Sequence, residues 1–166
     1  MAVPVMMVFD IPENPAWLAA WASVSLRHSQ LDHILKMSVK TFADLSIKDA
    51  LDAMAFNPSS MLRERVRKLA RKRLGEGQPL LRLEAILERC RRLTEQRNAL
   101  THNIVARHID GEEHGMQGHD QQWRPLPTTE ELQALAADIL RVTTELNTAR
   151  LHGFLAEALL ARGQAN

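Results

Sequence analysis

Leu83, Ile86, Leu87, Cys90, Leu93 and Leu100 recur at steps of three or four residues, or multiples of that step, in a segment otherwise rich in Arg and Glu. That period draws one apolar stripe along an α-helix. A strand cannot satisfy it, because a strand sends alternate residues to opposite faces. The same spacing governs most of the chain. Leu18, Trp21, Ser25, Leu31, Ile34 and Leu35 follow Asn14-Pro15, an N-cap before a proline suited to the first helical position. A helix is expected from there to about Met37. Ser46 opens a second start with Leu51, Met54 and Ala55 on its buried side, and Asn57-Pro58 ends it. A third helix begins at Ser59 or Ser60, buries Leu62, Val66, Leu69, Ala70 and Leu74, and stops at Gly75. The fourth runs from Pro79 to about Ile104. The last opens on Thr128-x-x-Glu131, a capping box, and its stripe continues to about Arg162.

Residues 107–127 interrupt this period with three Gly, three His and two Pro, and read as a long loop or a short hairpin. The sequence therefore predicts an all-α fold. It is an up-and-down bundle of four to five helices with a long loop before the C-terminal helix. Residues 14–166 form one domain and residues 1–13 an N-terminal tail. Aromatics at 4% are too few for an all-β sandwich. Lone Cys90 rules out an internal disulfide framework and a thiolate zinc cluster. Val3 to Phe9 is apolar but far too short to span a bilayer, and it lacks the basic residue that begins a signal peptide. It is read as a tail packed on the domain. The apolar run Leu151 to Leu160 is broken by His152 and Glu157. A soluble, cytoplasmic protein with no membrane partner is expected.

The formal net charge of +1 hides a sharp segregation. Residues 1–60 sum to −2, residues 61–97 to +7 and residues 98–166 to −4. Within the basic part, Arg63, Arg65, Arg67, Lys68, Arg71, Lys72 and Arg73 place seven cations in eleven residues. Arg63, Arg67, Lys68, Arg71, Lys72 and Arg73 are the candidate nucleic-acid-binding residues, since such a cluster attracts phosphate backbones. The alternative is a solvated face, with Glu64 paired to Lys68 or the acidic flanks packed against it. No aromatic residue lies among these charges, so base stacking is not part of the reading.

At the end of the fourth helix the chain reads Glu95-Gln96-Arg97-Asn98-Ala99-Leu100-Thr101-His102-Asn103. Arg97 followed by polar Asn98, then His102 after four intervening residues, resembles the hallmark of the HEPN superfamily of helical-bundle proteins. The order of elements is also similar: an amphipathic first helix, a basic intermediate region, the motif helix, a polar loop and a long last helix. The resemblance implies a metal-independent endoribonuclease without a cofactor, with a composite site at a homodimer interface. It further implies RNA as substrate and a bacterial toxin–antitoxin or phage-defence setting with an antitoxin-type protein partner. Arg97, Asn98 and His102 are then the candidate catalytic residues.

Elementary chemistry supports those roles. Histidine titrates near neutrality and can exchange a proton with a ribose 2′-hydroxyl or a leaving oxygen. A guanidinium holds phosphate and stabilises charge growing on it. Asn98 can orient the histidine or bind phosphate through its amide. Arg97 and His102 project about 140° apart on a helix, so one chain does not easily close both around one ligand, whereas a two-fold axis brings two copies together. Two alternatives stand beside this reading. Arg97, Asn98, Thr101 and His102 can serve only to cap a helix end, and HEPN-like domains also act as non-catalytic binding or dimerisation modules.

His108, Asp110, Glu112, Glu113, His114, His119 and Asp120 gather donors that suit zinc, nickel or manganese. Their spacing matches no helical zinc site, and no metal site is assigned. They are read as an exposed loop near the motif, with His108 and His114 lining the cleft if the loop folds over it.

Overall fold

Asn14 starts the first helix as its sequence requires. The Asn14 side-chain oxygen accepts hydrogen bonds from the backbone N–H of Ala16 at 3.0 Å and Trp17 at 3.2 Å. This satisfies two of the donors that a helix N-terminus leaves free. A computed structural model describes residues 7–118 and 120–164 of the chain. The helices are α1 (Pro15–Ala43), α2 (Ile47–Ala53), α3 (Ser59–Leu74), α4 (Gln78–Thr101), α5 (Thr129–His152) and α6 (Phe154–Gly163). Four short strands accompany them: β1 (Met7–Val8), β2 (Ile104–His108), β3 (His114–Gln117) and β4 (Trp123–Pro125).

The fold is thus mostly helical, with one small sheet that the helical period did not disclose. Its order is β1-β2-β3-β4 and every pairing is antiparallel. Val105 stands opposite Met116, and Met116 opposite Arg124. Ala106 and Met116 are buried, and Met116 joins the main core. The segment expected as a loop or hairpin is therefore a three-stranded meander. From the expected tail, Met7 and Val8 add an edge strand by pairing with His108 and Arg107. Residues 1–6 of that tail lie outside the described residues.

Helix α1 runs along α5 and also meets α3, and α4 packs on both α3 and α5. The core between them includes Leu31, Leu35, Phe42, Leu62, Leu83, Leu87, Ile139 and Leu146. The buried side of α1 passes through Trp17, Ala20, Val24, His28, Leu31 and Leu35. The expected stripe was rotated from this: Leu18 is exposed and Trp21 half-buried. Trp17 explains the rotation. Its Nε1 donates to the Pro127 carbonyl at 2.8 Å, and its ring lies 4.8 Å from that of Trp21. The start of α1 is thereby tied to the segment leading into α5.

The expected capping box forms. Glu131 N–H donates to Thr128 Oγ1 at 3.1 Å, and Thr128 N–H donates to Glu131 Oε2 at 2.8 Å. The last helix is not continuous, however. It breaks at Gly153, whose backbone is extended (φ −111°, ψ −157°), and restarts as α6. A Cβ at Gly153 would lie 3.0 Å from Ala149 Cα and 3.2 Å from Thr148 O. A methyl group there would press on backbone of the last turn of α5, so glycine eases the close turn past its end. Among the described residues, no helix is long and apolar enough to cross a membrane.

Two glycine substitutions test this account of the α5–α6 break. Gly153→Ala is expected to cost about 1–3 kcal/mol, because backbone atoms must shift to admit the methyl group. Gly163→Ala meets nothing within 4 Å at the end of α6. It is expected to be neutral or to stabilise by up to about 1 kcal/mol through helix propensity. Urea midpoints of the two variants check both, and equal effects would contradict the steric explanation.

Candidate functional site

Helix α4 ends at Thr101, and His102 caps it. His102 N–H donates to the Asn98 carbonyl at 3.0 Å, and Thr101 Oγ1 donates to the Arg97 carbonyl at 3.3 Å. The chain enters β2 at Ile104, so His102 and Asn103 form the turn between helix and sheet. The helix was expected to reach Ile104; it stops earlier because that residue pairs with Gln117 across the sheet. His102 is exposed, and Arg97 and Asn98 are half-buried.

Asn98 and His102 line one cleft of about 400 Å³ together with Ala99 and Asn103. Its opposite wall comes from the sheet: Gly118, Asp120 and Arg124. Asp120 and Arg124 form an ion pair. The Gln122 backbone N–H donates to the Asp120 carboxylate, and with Arg124 it holds that carboxyl below the usual range. Gly118 matters here for close approach. A Cβ would sit 3.1 Å from Arg124 Nη1 and from Asp120 Oδ1. The sheet therefore contributes an arginine and an acid that the Arg-x4-His pattern does not contain. Pairing of Met116 with Arg124 is what brings them opposite the motif.

Arg97 does not line this cleft; it is joined to it through Asn98. Its Nη1 donates to Asn98 Oδ1 at 2.9 Å, while its Nε is buried without a hydrogen-bond partner among the described residues. On the inner side, desolvation pushes the His28 imidazole down, and the charge of Arg97 adds a smaller lowering. The arginine thus stands between the open cleft and a buried polar junction behind it.

That junction was not anticipated. His28 is 2% exposed and Arg63 8% exposed. Arg63 Nη1 lies 3.2 Å from Thr94 Oγ1, and His28 Nε2 lies 3.2 Å from the same hydroxyl. His28 Nδ1 lies 3.5 Å from Asp32 Oδ2, and Ser59 Oγ donates to the other Asp32 oxygen. Three helices meet through these side chains: α1 through His28 and Asp32, α3 through Ser59 and Arg63, and α4 through Thr94. Desolvation lowers the His28 imidazole below its ordinary value of about 6.5. Asp32 works against this, and Arg97 and Arg63 reinforce it. Thr94 Oγ1 donates its one proton to the Cys90 carbonyl at 2.8 Å, so it accepts from Arg63, and its contact with His28 calls for the Nε2–H tautomer. Two signals in the sequence point to the junction. His28 and Asp32 are four residues apart, and Arg63 precedes Val66 and Ala70 by three and seven, which places it on the buried face.

The basic helix divides accordingly. Arg63 is turned inward. Arg67 pairs with Glu64, the acid expected to serve Lys68, and Arg71 pairs with Glu84 at 3.0 Å and Glu76 at 3.2 Å. Lys68, Lys72 and Arg73 are exposed and form no ion pair among the described residues. None of these six residues lines the motif cleft.

The histidine-bearing segment behaves differently from its expected place over the cleft. His108 and His114 do not line it. His114 Nε2 is 3.7 Å from Asp10 Oδ2, and Arg107 Nε is 3.6 Å from the same carboxylate. His114 borders a separate hollow with Trp17 and the Pro125–Pro127 segment. His119 lies outside the described residues. Among the described residues, no three His, Cys, Asp or Glu side chains come together as a metal site. No protein-family model, curated protein or solved structure matches the chain.

The buried imidazole gives the fold a signed pH dependence. His28 is held neutral when folded, so the unfolded chain gains the proton first as pH falls below about 6.5. Stability from this group is complete above that value and declines as pH drops through it. Urea midpoints measured from about pH 8 to about pH 5 are expected to fall in the wild type. They should fall less steeply in His28→Leu, whatever that variant's own stability. Parallel curves would remove His28 as the source.

Proposed function

We propose that the chain is a HEPN-like, metal-independent endoribonuclease that works as a homodimer. The observation that carries this reading is the shared cleft of Asn98 and His102, with Arg97 tethered to Asn98 at 2.9 Å. Cleavage by attack of a ribose 2′-hydroxyl needs one proton taken and one proton given. Among the described residues, one imidazole, that of His102, lines the cleft. A two-fold axis through the motif helices supplies the second. His102 of one copy then takes the 2′-hydroxyl proton, and His102 of the other delivers a proton to the departing 5′ oxygen. Arg97, moving its guanidinium outward from Asn98, neutralises charge on the phosphate. The up-and-down bundle and the toxin–antitoxin or phage-defence setting, with an antitoxin-type partner, belong to the same proposal.

A second reading rests on exposed Lys68, Lys72 and Arg73. It is a non-catalytic HEPN-like module that holds nucleic acid or an acidic protein surface on α3. Under it, nucleic-acid retention is salt-sensitive and weakens in the Arg71→Ala/Lys72→Ala/Arg73→Ala triple variant, with no product formed.

Cleavage of total RNA in EDTA separates the two. The nuclease reading expects product from the wild type and a loss of about 100-fold or more in both Arg97→Ala and His102→Ala. Undiminished cleavage in His102→Ala would sink the role given to that imidazole.

A further inference from the structure

A second hollow lies on α4 one to two turns before the motif cleft. Arg92 and Ala99 are seven residues apart on α4, so they project within about 20° of each other and lie about 10 Å apart along its axis. Ala99 lines the motif cleft. Arg92 lines a groove of about 330 Å³ between α4 and α5, together with Arg89 and Gln96 from α4 and Asp138 and Arg141 from α5. Gln96, between Arg92 and Ala99 in sequence, also lines the groove.

The groove arginines are not equivalent. Arg89 is held by Glu145 at 2.6 Å, and Arg141 by Asp138 at 2.8 Å. Arg92 is exposed and forms no ion pair among the described residues. A guanidinium has five N–H donors, so the two paired arginines keep donors beyond those their acids use. The floor is apolar, formed by Leu93 and Val142.

We propose that this α4–α5 groove is a phosphate-binding subsite that holds the backbone of a single RNA strand beside the phosphodiester reacting at Asn98 and His102. The identity of the strand rests on the ribonuclease reading; the preference for phosphate rests on the groove itself. Arg92 is the principal ligand, because it forms no ion pair among the described residues and its planar fork matches two phosphate oxygens. Arg141 and Arg89 support it from the walls. A mononucleotide cannot occupy both hollows, so the substrate class is an extended strand.

Fluorescence anisotropy of labelled oligodeoxythymidine tests the groove apart from the chemistry. This probe carries phosphates but no 2′-hydroxyl, so it is bound without being cleaved. Arg92→Ala is expected to weaken binding about tenfold and to lower the slope of log affinity against log salt by about one. Arg92→Ala/Arg141→Ala should weaken it further. Lys48→Ala, an exposed cation on α2, should leave it unchanged, and His102→Ala should still bind. Equal losses in Arg92→Ala and Lys48→Ala would reduce the effect to general charge and overturn the groove. So would unchanged affinity and salt slope in Arg92→Ala, even for a protein that cleaves RNA. Arg92-dependent binding of polyglutamate without binding of the oligonucleotide would replace the strand with an acidic protein. Arg92-dependent oligonucleotide binding in a protein that never cleaves RNA would support the groove and remove the nuclease reading.

Discussion

The polar junction of His28, Asp32, Ser59, Arg63 and Thr94 fixes how three helices meet behind the motif. Apolar contacts alone constrain such a crossing weakly, because aliphatic side chains tolerate small rotations and slides. A buried guanidinium and a buried imidazole that share one hydroxyl tolerate neither, since an unpaired polar group in the interior costs about 1–3 kcal/mol. Thr94 lies three residues before Arg97 on α4. The rotation of α4 that satisfies Thr94 therefore also sets where Arg97, Asn98 and His102 project. Asn98 and His102 reach the cleft, and Arg97 remains between cleft and junction.

The second constraint is the sheet. Its strands are short, yet their register places Arg124, Asp120 and Gly118 across from the end of α4. The cleft is consequently a helix–sheet product, closed on one side by the meander that follows the motif in sequence. Charge is arranged around it unevenly. Arg124 is balanced by Asp120, Arg97 is partly withdrawn, and the exposed Arg92 sits two helical turns away. An exposed arginine without an ion pair among the described residues thus lies beside the cleft rather than within it.

Several features were legible in the residues themselves. Asn14, the Thr128–Glu131 box and Gly75 mark helix ends through local geometry and local hydrogen bonds, which need no distant partner. The concentration of cations in residues 61–97 was equally plain. The stripe expected on α1 included Leu18, which the structure leaves exposed. The structure instead buries Trp17, whose indole N–H finds the Pro127 carbonyl across a separation of 110 residues. Gly153 read as an ordinary residue within one long helix, because its role depends on how closely the backbone of Ala149 approaches it.

The sequence by itself determined the helical period, the capped helix starts at Asn14 and Thr128, the basic middle and the Arg97-Asn98-x3-His102 spacing, all of which are properties of neighbours along the chain. Tertiary structure alone decided that Arg63 turns inward, that His28 is buried against Thr94, and that Gly118, Asp120 and Arg124 face Asn98 and His102. The reason is physical. Burial of a charged side chain becomes tolerable only when partners from other elements satisfy it, and strands of three to five residues gain their stability from pairing rather than from their own composition.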